Sequence, residues 1–86
     1  MKITWAIEDQ GSGQAVTESV DQAAEALTAA VRESFGDADT GTLAHIMLNI
    51  VAPVRAQLVT SGRFEVERGR TWEYTDRGIS VTLSPN

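Results

Sequence analysis

The chain has 86 residues, 42% hydrophobic and 22% charged, with a formal net charge of −5 and no cysteine. This is the size of one domain with a modest core and little room for a deep substrate cleft, and the lack of cysteine excludes disulfides, thiol chemistry and thiolate metal sites. Met1-Lys2 leads straight into an alternating segment, and the longest apolar stretch, Ile46 to Val54, is interrupted by Asn49 and Pro53, so the expected setting is cytoplasmic, with no membrane involved.

Lys2 to Glu8 alternates, with Ile3, Trp5 and Ile7 on one face, which predicts a half-buried strand. Asp9 to Gln14 reads as a Gly- and Ser-containing loop. A helix is predicted from about Glu18 to Phe35. Thr17 or Ser19 is its cap, Gln22 completes a capping box with Ser19, and Gly36 is the left-handed residue that ends it. Asp37 to Gly41 is a turn, with Asp39, Thr40 or Thr42 as the next cap. A second helix starts near Leu43, where Leu43, Ile46, Met47, Ile50 and Val51 form a wide apolar stripe and Leu48 lies off it. Pro53 costs about 3 kcal/mol inside a helix and little at a helix start. The spacing therefore predicts a break near Val51-Ala52 and a short third helix from Pro53 to Thr60, with one kinked helix over 43–60 as the alternative.

Ser61-Gly62 ends that helix. Arg63 to Glu67 and Thr71 to Thr75 then alternate as two strands joined by a turn at Arg68-Gly69-Arg70, with Phe64 and Val66 inward and Trp72 and Tyr74 sharing a face. Asp76-Arg77-Gly78 is a second turn signal, Ile79 to Leu83 a third strand, and Ser84-Pro85-Asn86 a tail. The expected fold is α+β, a single small domain over 1–86. It has an N-terminal strand, two to three helices and a C-terminal antiparallel hairpin or meander, with the first strand joining the last ones in one sheet under the helices. Trp5 and Trp72 are expected to line one core.

Charge divides unevenly. Residues 1–52 carry Lys2 and Arg32 against Glu8, Asp9, Glu18, Asp21, Glu25, Glu33, Asp37 and Asp39; residues 53–86 carry Arg55, Arg63, Arg68, Arg70 and Arg77 against Glu65, Glu67, Glu73 and Asp76. That predicts two faces of different electrostatics. Catalytic constellations are absent. Gly11-Ser12-Gly13 lacks the third glycine of a dinucleotide loop, and the chain is too short for the sheet such a site needs. Asp37, Asp39 and Gly41 start like a calcium loop, but Thr42 and Leu48 stand where glycine and a bidentate glutamate are required, so helix capping is the better account. His45 is the only histidine and has no partner at ligand or triad spacing. No enzyme activity, cofactor or metal site is expected.

The run TLAHIMLNIV, APVRAQLVTSG, RFEVE-RGR-TWEYT, over residues 41–76, resembles the winged helix-turn-helix family. The resemblance implies a scaffold helix, a recognition helix and a two-stranded wing, with Phe64 and Trp72 packed across the wing. It implies a nucleic-acid or nucleoprotein contact in which Arg55, Gln57, Thr60 and Ser61 face the major groove, Arg63 holds the backbone, and Arg68-Gly69-Arg70 reaches a phosphate or a narrow minor groove. Two rival expectations stand beside it. The acidic helix face of Glu18, Asp21 and Glu25 could fill a basic groove on a nucleic-acid-binding protein, as phage-encoded inhibitors of host defence do. The broad apolar second helix could instead form a homodimer through residues 43–54.

Overall fold

The computed structural model describes residues 1–85; Asn86 of the expected tail lies outside the described residues. The chain runs β1 (Lys2–Ile7), β2 (Gly11–Val16), α1 (Val20–Ser34), α2 (Thr40–Val66), β3 (Trp72–Asp76) and β4 (Ile79–Ser84). The four strands form one antiparallel sheet in the order β2-β1-β4-β3, so the N-terminal strand pairs with the last one, as expected. Both helices lie on one face. That face carries Ile3, Ile7, Trp72, Ile79, Val81 and Leu83 into a core closed by Val20, Ala23, Ala24, Leu27 and Val31 of α1 and Val51, Val54 and Leu58 of α2. The opposite sheet face is open and carries mostly small or polar residues, among them Thr4, Ala6, Ser12, Gln14, Thr75 and Ser80, with Val16 exposed on its edge strand. Trp72 is a core residue, whereas Trp5 is half-buried at the margin, its ring over Gly13 of the neighbouring strand, where a Cβ would come within 2.8 Å of it.

The first helix forms where its local signals place it. Ser19 Oγ accepts the Gln22 N–H at 3.1 Å, which satisfies one donor of the first turn, and Gln22 Oε1 reaches back to the Glu18 N–H, just before the cap, at 2.9 Å. Gly36 is not left-handed; its N–H closes a tight turn on the Glu33 carbonyl at 3.1 Å.

Three expectations need correction. Gly11–Val16 is a strand and not a loop, because β1 offers a complete row of partners from Lys2↔Val16 to Ile7↔Gly11; pairing overrides the weak strand propensity of Gly-Ser-Gly. There are two helices, since residues 40–66 form one, with no break at Val51-Ala52 and no separate third helix. And Arg63–Val66 is the last turn of α2, so no hairpin joins 63–67 to 71–75. Phe64, expected to pack inward on Trp72, points to solvent with about half its surface exposed. Gly69, at φ +75°, ends the helix: its N–H reaches the Val66 carbonyl and the Arg70 N–H the Glu65 carbonyl, both at 3.0 Å. The real C-terminal hairpin is β3–β4. It turns at Arg77-Gly78, with φ +49° and +84°, the left-handed pair that a two-residue turn demands. The winged-helix arrangement is therefore not confirmed.

Two widened turns explain how α2 stays whole. It contains π segments at Met47–Val51 and Leu58–Gly62. The line Ile46, Ile50, Val54, Leu58, Gly62 and Val66 runs along the core side at four-residue spacing, buried throughout except at half-buried Ile50, with Val51 buried beside it. An α-helix advances about 100° per residue, so five four-residue steps would rotate this line away from the sheet by about 200°. Each π segment takes up one extra residue, about 100° of phase, and two cancel the drift. The first also accommodates Pro53. Proline cannot donate to the carbonyl four residues earlier, that of Asn49. The Ala52 N–H bonds the Met47 carbonyl instead, and Arg77 Nη1, from the β3–β4 turn, donates to the Asn49 carbonyl at 3.1 Å.

Candidate interaction surface

The arginines expected to read nucleic acid and the carboxylates of the rival acidic face meet each other. Arg55 Nη2 donates to Glu25 Oε1 at 2.7 Å, and its Nη1 to Thr28 Oγ1 at 3.3 Å. Arg63 Nη2 donates to Asp21 Oδ1 at 2.9 Å, and its Nε to the Val59 carbonyl at 3.1 Å. Both pairs are partly exposed, so each contributes roughly 0.2–1 kcal/mol. Their larger effect is on the charge map: they fasten α2 to α1 and neutralise both proposed surfaces over that stretch. Of the acidic trio, Glu18 alone has no ion pair among the described residues.

The remaining candidates sit on the far side or at the end of α2. Gln57 is exposed and accepts from Ser61 Oγ at 3.3 Å, while Thr60 Oγ1 donates back to the Ala56 carbonyl at 2.7 Å. Arg68 lies over the Phe64 ring, 3.6 Å from its centroid, and donates to the Phe64 carbonyl at 3.1 Å. Arg70 is exposed and stands 3.6 Å from Glu65. Arg68, Gly69 and Arg70 thus gather at the exit of α2, not at a hairpin tip.

What α2 turns outward is not legible residue by residue. The phase correction that keeps one line of α2 on the core keeps the opposite line straight as well: Ala44, Leu48, Ala52, Ala56, Thr60 and Phe64, all exposed. Leu48 is 71% exposed and Phe64 51%. This ridge carries no ionisable side chain until Arg68. The next line, through Gly41, His45, Asn49, Pro53 and Gln57, carries only His45, whose ring faces Asn49 Nδ2 at 3.2 Å on the helix surface. The signal that could have found the ridge is the same four-residue spacing, read on the side of Leu48. By length and mean hydropathy α2 is long and apolar enough to cross a membrane; within it Val51, Val54 and Leu58 are buried inside the fold, and Arg55 and Arg63 are paired to α1.

At one end of the core, between the two hairpin turns and the facing ends of the helices, lies an open cavity of about 330 Å³. Its floor is Ile7, Val31, Phe35, Ile46, Ile50 and Ile79, and Glu8, Asp9 and Arg77 stand on its rim. Arg77 is engaged by Asn49, and the lining holds no histidine, serine or threonine to pair a nucleophile with a base. Among the described residues no group of acids and histidines is placed to hold a metal ion.

Asp39 performs the capping role expected of it. Its Oδ1 accepts the Thr42 N–H at 2.7 Å, and this hydrogen bond holds its carboxyl below the usual value of 3.8. A carboxyl with a depressed folded-state pKa stabilises fully above its unfolded value and loses that contribution as pH falls through the folded one. Thermal melts of wild type should therefore lose stability below pH 3.8 in a way that Asp39→Asn, which keeps a capping oxygen but cannot titrate, does not. Superimposable pH profiles would remove the assignment.

Compared with protein-family models, with curated proteins and with solved structures, the chain matches none.

Proposed function

We propose that this protein is a non-catalytic association module whose contact surface is the outward face of α2. The observation that carries this reading is the exposed ridge from Ala44 to Phe64, which bears no ionisable side chain of its own and meets a charge only where Arg68 stacks on Phe64, on a chain of net charge −5. Interface cores are depleted of charge because desolvating ions is costly. Fully burying a side chain such as Leu48 or Phe64 contributes about 1.5–3 kcal/mol. A photoreactive amino acid placed at position 48 should form a covalent protein adduct in the producing cells, and the same group at Gln14, on the open sheet face, should not. No adduct from position 48 ends the proposal.

A nucleic-acid contact is the second reading, favoured by the exposure of Arg68 and Arg70 at the exit of α2. It rests on these two side chains, because Arg55 and Arg63 are committed to α1. A labelled duplex should bind at about 50 mM salt, and the Arg68→Ala, Arg70→Ala double variant should bind more weakly with a log–log salt slope shallower by about 2. An unbound duplex at that salt rejects it.

A further inference from the structure

We infer that the occupant of the α2 face is a second copy of this chain, packed antiparallel about a two-fold axis at Ala52; this rests on the association reading above. A two-fold interface must be complementary to itself. About Ala52, residues equally far along the helix in opposite directions meet. Leu48 then faces Ala56 of the other copy, Phe64 faces Thr40, and Ala44 faces Thr60. Every large side chain meets a small one, and Ala52 at the axis lets the backbones approach. A parallel pair would instead set Leu48 on Leu48 and Phe64 on Phe64.

Electrostatics select the same orientation. Arg68 continues the ridge one turn beyond Phe64, and the two-fold axis carries it to residues 36–40 of the other copy, where Asp37 and Asp39 are exposed. Glu67 comes level with Asp37 in this register, but lies a quarter-turn off the line on which Arg68 stands. The antiparallel arrangement also sets each helix N-terminus beside the other's C-terminus, which the helix dipoles favour, whereas the parallel one would bring the two acidic ends together. For two chains of net charge −5, the uncharged ridge is the line of approach with the least repulsion. α2 runs the length of a molecule 40 Å long. A contact stripe of about 10 Å along it buries roughly 800 Å² in total, the weak, reversible class of interface.

The absence of cysteine makes the orientation testable with single thiols. Under mild oxidation Ala52→Cys alone should cross-link to a dimer. Ala44→Cys and Thr60→Cys should cross-link to each other when mixed, far more than either does alone. Sedimentation up to about 1 mM should show a dimer for wild type. Leu48→Asp should weaken it by at least about tenfold with an unchanged thermal transition, and Phe64→Asp serves the same purpose if Leu48→Asp folds poorly. A monomer at the highest concentration with no cross-link, or Ala44→Cys cross-linking alone as well as in the mixture, overturns the inference. The adduct at position 48 separates the two claims. A mass of twice the chain supports the second copy. An adduct of another mass refutes the second copy while the α2 face stands as a contact surface, and no adduct removes both.

Discussion

Replacing Leu58 by Ala is expected to lower the free energy of unfolding by about 2–5 kcal/mol, read from urea denaturation with an unchanged slope. Leu58 is completely buried at the middle of α2. It lies where α2 packs against both α1 and β3, beside Gly62, whose missing side chain leaves room for the Trp72 ring. A Cβ at Gly62 would come within 3.3 Å of that ring and 3.4 Å of Leu58 Cδ1, so helix and sheet are already in close contact there and cannot collapse much further into the space that Ala would leave. Domains of this size have total stabilities of about 5–15 kcal/mol, so the variant should stand near its folding limit. A loss below about 1 kcal/mol would show that this contact is looser than the geometry states.

The second large effect is a contrast between two deletions. Removing Thr60 takes one residue out of the π segment Leu58–Gly62. The widened turn then becomes an ordinary one, and Gly62 and Val66 keep their phase. Thr60 is exposed and bonds only within α2, so the cost should be about 1 kcal/mol or less. Removing Ala26 from α1, which has no widened turn, rotates everything after it by about 100°. Leu27 and Val31, each 1% exposed, would leave the core, with a loss of about 1.5–3 kcal/mol for each. Cooperative thermal unfolding should survive the first deletion and disappear in the second. Equal damage from both would contradict the phase argument for α2.

Where the determinants are local, the sequence was sufficient to read the structure. Alternation placed β1 and β4, Ser19 and Gln22 capped α1, Asp39 capped α2, and Asp76-Arg77-Gly78 marked the tight turn. Where two local readings compete, it misled. Phe64 and Val66 are two residues apart, which fits an alternating strand, yet Val66 also ends the four-residue line from Ile46. The long helix wins because five of the six residues on that line are buried and Ile50 is half-buried, an outcome that six residues seen alone do not reveal. Pro53 read as a break because the Arg77 guanidinium that serves the Asn49 carbonyl comes from 28 residues away.

The candidate surface divides in the same way. The sequence by itself determined that five of seven basic residues fall in residues 53–86 and that there is no cysteine and one histidine, which is why two regions of different charge were legible. Only the packing of α1 on α2 decided that Arg55 and Arg63 would be used against Glu25 and Asp21, because ion pairs 30 and 42 residues apart in the chain depend on how helices dock. Only the phase of a 27-residue helix decided that Leu48 and Phe64 would lie on one straight exposed line. Local chemistry is set by neighbours in sequence; which face meets water is set by the rotation summed along a whole element and by what covers the other side.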